Sequence, residues 1–383
     1  MHTFAMIGAI AVIMTVLWDI FETIVLPRRV TRHVRLTGLV YQLTWVPWSA
    51  IGRKIKRSGS RETFLSYYGP LALIFLLIVW AVGMIIGFAL AQWALGSRIT
   101  TSHGSASALS DLYLSGTTFF TLGLGDVVPN DGSSRALTVI EAGVGFFVLA
   151  LVIGYLPVLY QAFSRREVAI TLLDARAGSP PSGLEMIRRH VRDFGVDTLN
   201  EQLRVWEAWA SELMESQLSY PMLGFFRSQH EHQSWLAGLT TILDACALII
   251  VGVDGVPANQ ARLTFAMARH AAVDLAQIIG TQPDKQCYKR MPTDDIPRLR
   301  AFLEQAEAPL REGPDADAKL NQLRLLYEPY VYALSRRLLM ELPPWLPNND
   351  EVDAWRSSPW ELAPSETQPK RVAQWRELEY ETH

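Results

Sequence analysis

From Tyr68 to Leu95 the chain runs for 28 residues without one charged side chain. Crossing the hydrocarbon core of a bilayer takes about 20 helical residues. Inside lipid no water satisfies the backbone, so such a stretch must be helical. Two other stretches have comparable length and character. Thr3 to Leu26 is apolar until Asp19 and Glu22, and Ala136 to Phe163 carries the single charge Glu141. Most of the apolar excess behind the 49% hydrophobic share lies in the first 165 residues. The first stretch is too long and too acidic at its end for a secretory signal peptide, and no small-residue cleavage site follows it.

Basic residues orient these spans. Arg28, Arg29, Arg32, Arg35, Arg53, Lys54, Lys56, Arg57 and Arg61 lie between the first two, against the single acid Glu62. Between the second and third, before Arg135, stands only Arg98, with Asp111, Asp126 and Asp131. The positive-inside rule makes the first connection cytoplasmic and the second external. The N-terminus is then outside, and everything after Arg165 and Arg166 is cytoplasmic. Within the first connection, Leu36 to Ile51 is apolar, aromatic and broken by Pro47, which reads as an interfacial helix.

Beyond Phe163 the pattern becomes that of amphipathic helices. RREVAITLLDARAG prolongs the third span up to the breaker GSPPSG. Helical periodicity follows over Leu184–Phe194, Leu199–Leu218, Ser234–Val253, Gln260–Ile279, Ile296–Ala308 and Ala316–Leu342, with breaks at Gly and Pro. No useful β-alternation appears, so this domain is expected to be all-α. Ser234 to Val253 is long enough for a fourth span, but Asp244 near its centre would be costly in lipid, and a buried core helix is the expected form.

The external connection holds TLGLGD, Thr121 to Asp126, preceded by SALSDLYLSGTTFF, a helical segment too short to span. Span, half-helix, bare backbone and span are viable in a membrane only where the irregular backbone lines a water-filled path. A re-entrant helix ending near Phe120 aims its carbonyl end, which carries partial negative charge, at the membrane centre and favours a cation there. Pointing successive carbonyls one way puts alternate residues in dihedrals strained for side chains with a Cβ, which Gly123 and Gly125 take cheaply. Leu122 and Leu124 are then expected to pack outward against the half-helix, and the Thr121 hydroxyl adds a ring at the inner end. Rings of this kind replace the hydration shell of a potassium ion.

TTFFTLGLGDVVP resembles the signature of potassium-channel pore domains, usually T-V-G-Y-G-D, and the resemblance covers about Tyr68 to Arg165. It implies a homotetramer around one axis, with K+ the permeant ion and no other cofactor. It assigns ion sites to Thr121, Leu122, Gly123, Leu124 and Gly125, and filter support to Asp126 and Tyr113. It makes Gly145 the inner-helix hinge, with Phe146, Leu149, Ile153 and Pro157 lining the cavity or gate. Leu122 replaces the usual valine and Leu124 the usual tyrosine, whose hydroxyl tethers the filter to its pore helix. A weakly selective cation channel is therefore the alternative within the class, and a non-conducting membrane-anchored scaffold the alternative outside it.

The implied fold is an all-α membrane protein with a tetrameric potassium-channel-like pore, an additional N-terminal transmembrane helix and an all-α cytoplasmic domain. The expected divisions are an N-terminal transmembrane helix (1–27), a basic cytoplasmic connection (28–66), the pore domain (67–165), the helical cytoplasmic domain (166–347) and a polar tail (348–383). The setting is multi-pass in a prokaryotic inner or plasma membrane, in contact with lipid.

Several conspicuous residues take plainer readings. Glu141, an acid inside the membrane one turn before Gly145, is weighed as a brace for the pore helix against ion attraction or proton sensing. Pro157 lacks a backbone donor and is expected to kink the inner helix, as a pivot or statically. Asp19 and Glu22 are expected to pair with Arg28 or Arg29. The three-residue spacing of Arg29, Arg32 and Arg35 reads as membrane-edge cations rather than a voltage sensor. His230 and His232 bracket Glu231 without the ligand count a metal demands. Cys246 and Cys287 read as reduced thiols. The net charge of -3 gives no sign of a nucleic-acid partner. No dinucleotide fingerprint, Walker loop, EF-hand or catalytic arrangement is present, so an enzyme is not expected and no cytoplasmic ligand is named.

Overall fold

The structure, a computed structural model, describes residues 2–26, 35–102, 106–228, 233–284, 290–292 and 295–346. In chain order its first helices are α1 (His2–Ile20), α2 (Leu36–Lys54), α3 (Ser58–Ser66), α4 (Tyr68–Ala94), α5 (Ala108–Phe119) and α6 (Gly132–Ala177). Then come α7 (Gly183–Arg189), α8 (Val196–Ser219), α9 (Trp235–Gly252), α10 (Ala258–Ile279), α11 (Ile296–Gln305), α12 (Pro314–Leu325) and α13 (Glu328–Leu338). Arg28, Arg29, Arg32, the His230–His232 cluster, Cys287 and the tail from 348 lie outside the described residues.

The three apolar stretches are α1, α4 and α6. At 1.5 Å per residue the 46-residue α6 is about 69 Å long, more than twice the hydrocarbon thickness, so it runs well past any membrane. Among the described residues, four helices are long and apolar enough to cross a bilayer, and burial separates them. Only 22%, 39% and 17% of the apolar windows containing α1, α4 and α6 are covered by protein, against 94% of α9. Alpha-9 therefore has almost no surface left for lipid and forms the centre of a protein core. Its Asp244 is buried and accepts from both terminal nitrogens of Arg290 and from the Tyr327 hydroxyl at 2.5 Å. Glu328 beside it accepts from the Trp345 indole at 3.1 Å and pairs with Arg324 at 3.1 Å. The pairing lets α9 bury a carboxylate among apolar neighbours.

Helix α1 lies along α4. The contact is close because α4 presents Gly83 and Gly87 one turn apart: a Cβ there would come within 2.9 Å of Val16 and 2.7 Å of Ile13. Small residues at such spacing let two apolar helices approach when lipid offers no hydrophobic drive. Arg28 and Arg29, the expected partners of Asp19, lie outside the described residues, and Asp19 has other contacts. It accepts from the Thr37 amide at 3.1 Å, from the Thr37 hydroxyl at 2.5 Å and from the Trp80 indole at 2.8 Å. A carboxylate of α1 thus satisfies a free amide at the positive end of α2. Glu22 accepts from Trp18 at 2.7 Å and lies 3.5 Å from Arg35.

Two hydrophobic cores result. One joins α1, α2, α4, α5 and the first half of α6, and the other fills the space between the end of α6 and α7–α13. One local feature was not anticipated and one expectation changes. A two-stranded antiparallel ribbon, β1 (Ile99–Thr101) with β2 (Val127–Pro129), pairs Thr100 with Val128, and three residues per strand are too few to leave an alternation pattern. The expected helix Ala316–Leu342 is two helices, because Pro329 in the first turn of α13 cannot continue the ladder of α12. Cys246 on α9 is fully buried, and burial pushes its thiol pKa far up, leaving it inert.

Candidate ion-binding site

Helix α5 begins where the Ser107 hydroxyl accepts the Ser110 amide, and it packs against α4 and α6. It ends at Phe120. The Leu122 amide still reaches the Thr117 carbonyl at 2.7 Å, and then the backbone leaves the helix. Over the next residues the sign of φ alternates. Thr121, Gly123 and Gly125 have φ of 57°, 57° and 79°, while Leu122 and Leu124 between them are not in the positive region. In such an alternation successive peptide groups face one side, concentrating partial charge of one sign. Thr121 is the one residue with a Cβ held there, at a strain of about 1–2 kcal/mol.

Neither glycine is required by crowding within the chain, since a Cβ at Gly123 or Gly125 meets nothing within 4 Å. The backbone conformation is what needs glycine. Leu122 and Leu124 are 60% and 63% exposed, so most of each side chain is uncovered within one chain. Leucine has no side-chain donor or acceptor, so no side-chain hydrogen bond ties either of them to the helix.

Three contacts hold this segment from behind. The Tyr113 hydroxyl interacts electrostatically with the Asp126 carboxylate, linking the middle of α5 to the residue after the last glycine. Glu141 of α6 is fully buried and hydrogen-bonded to the Ser115 hydroxyl, which also lies 2.8 Å from the Ile85 carbonyl of α4. One turn further along α6, a Cβ on Gly145 would sit 2.4 Å from the Phe119 carbonyl oxygen. Gly145 thus has a packing reason to be glycine, whatever it does as a pivot. The burial of Glu141 on Ser115 matches a brace. Glu141→Ala is expected to reduce flux and cost about 1–3 kcal/mol of stability, the usual cost of a broken buried hydrogen bond, while Glu141→Gln keeps the contact and most of both. Flux and thermal unfolding of the two variants check this, and equal losses from Ala and Gln would contradict a bracing role.

Phe146, Leu149, Ile153 and Pro157 all stand on one exposed stripe of α6. Helix α6 continues through Pro157, where the missing N–H leaves the Ile153 carbonyl without its intrahelical partner. Supporting residues that sequence reasoning overlooked are Ser115, Gln92 and Ser134. Gln92, the one amide side chain in the charge-free stretch, donates to the Ser134 carbonyl at 3.2 Å and accepts the Ser134 hydroxyl at 2.5 Å, fastening the outer ends of α4 and α6. A lone polar residue in an apolar run was the signal for it. At the start of α6, Asp131 accepts from Arg98 at 2.6 Å and caps the Ser134 amide at 2.9 Å. Its carboxyl is held down to about 2, chiefly by the Arg98 hydrogen bond and then by the Ser134 amide and Ser133 hydroxyl, so it stays charged at neutral pH.

Residues 74–161, from within α4 to within α6, match the family model described as ion channel. Fold and site together define a membrane protein with an ion-channel domain of the two-span pore type. Among curated proteins, the chain is similar to the membrane protein YdjJ of Bacillus subtilis (strain 168). The two are 25% identical over 254 residues, covering 64% of this chain and 71% of that protein. No solved structure matches.

Proposed function

We propose that the protein is a potassium-selective channel that conducts K+ passively through a pore made by four copies of the chain. The observation that carries this reading is the alternation of φ across Thr121, Gly123 and Gly125 at the carbonyl end of α5. Four such segments around one axis would stack rings of carbonyl oxygens in place of a hydration shell, with the Thr121 hydroxyls as the innermost ring. A single strand cannot surround an ion, and the exposure of Leu122 and Leu124 fits a segment completed by neighbouring copies. The driving force is the electrochemical gradient, and no covalent step is needed. Charge distribution supports a multi-pass protein of the cell membrane with its N-terminus outside and α7–α13 in the cytoplasm.

A weakly selective cation channel is the second reading, favoured by the lack of any side-chain tether from Leu124 to α5. Purified protein in planar bilayers, with potassium on one side and sodium on the other, separates the two. A reversal potential displaced strongly toward the potassium equilibrium supports the selective reading, and one near zero defeats it.

A further inference from the structure

Between α8 and the segment leading to α9, residues Tyr220–Arg227 touch the helical domain at Gly224, beside Gln217 and Ile279, and reach from there into the other core. Met222, Leu223 and Phe226 are buried in the other core, among Trp45, Tyr68, Leu159 and their neighbours. Phe225 lies with its ring centroid 5.1 Å from that of Trp45 and 5.4 Å from that of Tyr68. Phe226 packs on the first turn of α4 so tightly that a Cβ at Gly69 would be 2.7 Å from its ring. The other side of Phe226 meets Phe163 of α6 at 5.7 Å. The segment is a wedge between the start of α4 and the lower part of α6.

Arg166 of α6 closes it. Its guanidinium is buried and donates to the Leu223 carbonyl at 2.7 Å and to the Phe226 carbonyl at 2.9 Å, with Glu167 as counter-charge at 2.9 Å. The Leu223 carbonyl also accepts the Phe226 amide at 3.2 Å, and a planar fork can take both carbonyls at once where an ammonium cannot hold both in that geometry. The wedge is fastened equally firmly to its own side. Arg227 donates to Glu62 of α3 at 2.7 Å, to the Leu339 carbonyl at 3.1 Å and to the Leu338 carbonyl at the end of α13.

We infer that the Tyr220–Arg227 wedge couples the helical domain to the pore, and that Arg166 is the positioning residue through which it holds the inner helix. This rests on the channel reading given above. The lower half of α6 cannot shift against α4 without either breaking both guanidinium–carbonyl bonds or carrying the wedge with it. Through α8 and Arg227 the wedge carries the helical domain. Movement of either body is thereby a movement of the other, which is the physical requirement for a domain to bias a pore.

The test uses the full-length protein with Arg166→Met, Arg166→Lys and Phe226→Leu. In single-channel recording, Arg166→Met and Phe226→Leu are expected to change the open-to-closed ratio at least tenfold, with unitary conductance and reversal potential unchanged and Arg166→Lys intermediate. Hydrogen–deuterium exchange in nanodiscs supplies a second reading that needs no current. Arg166→Met is expected to speed exchange at least tenfold over 66–73 and 220–228, with α9 unchanged as proof of folding. A conducting wild type whose variants keep the same open fraction overturns the coupling. So does exchange over 66–73 within twofold of wild type. A wild type that carries no current while exchange responds as expected sinks the channel reading and leaves the coupling standing. If Arg166→Met loses α9 protection, Arg166→Lys carries the same two measurements.

Discussion

Gly123→Ala is expected to abolish potassium flux from liposomes while leaving the fold intact. Gly123 sits at φ 57°, in the left-handed region, where a Cβ costs roughly 1–2 kcal/mol. Four copies around one axis would bring that to roughly 4–8 kcal/mol, enough to turn the peptide group out of the stack. Crowding inside the chain adds nothing, since a Cβ meets no atom within 4 Å. The substitution therefore acts on backbone direction alone, at an exposed segment outside both hydrophobic cores. Thermal unfolding should shift by no more than about 1–2 kcal/mol per chain, the strain itself, since no packing is lost. Flux at the wild-type rate would falsify the carbonyl-column reading and shift weight to a membrane-anchored scaffold, whose role the substitution would not touch.

The second large effect is expected from Gly145→Ala, by the opposite route. Here the conformation is ordinary helix and the space is missing: the added methyl would stand 2.4 Å from the Phe119 carbonyl oxygen. The obstacle is backbone, so no rotamer change relieves it, and α5 must move off α6. Overpacking of this kind typically costs 1–3 kcal/mol, and the displaced end of α5 is the one that carries Thr121. The expected result is a lower unfolding temperature together with reduced unitary conductance and weaker discrimination between potassium and sodium. A hinge would behave differently. If Gly145→Ala changes only the open fraction, with conductance and selectivity as in the wild type, the packing role argued from Phe119 is wrong and the pivot stands in its place.

The membrane part was legible because its signals are local. A run of 28 uncharged residues, a short helix capped by Ser107 and two glycines alternating with leucines each announce themselves within a few positions. The assignment of α9 to a protein core came from one residue, since Asp244 had to find partners and the structure supplies Arg290 and Tyr327. Other features had no such signature. The break between α12 and α13 lay inside a continuous apolar pattern and turned on Pro329. The contacts of Asp19 with Thr37 and Trp80 had no signal along the chain. Leu122 and Leu124 are mostly exposed in the single chain, which their apolar character did not signal.

By itself, then, the amino-acid order determined which stretches are apolar helices and where bare backbone interrupts them, because chain chemistry and lipid solvation act residue by residue. Only the tertiary structure decided what those helices hold. Arg166 meets carbonyls 57 and 60 positions away, and the Trp45 indole donates to a carbonyl 292 positions away. Such contacts arise when packing brings distant orphan donors and acceptors together, and no periodicity along a chain encodes them.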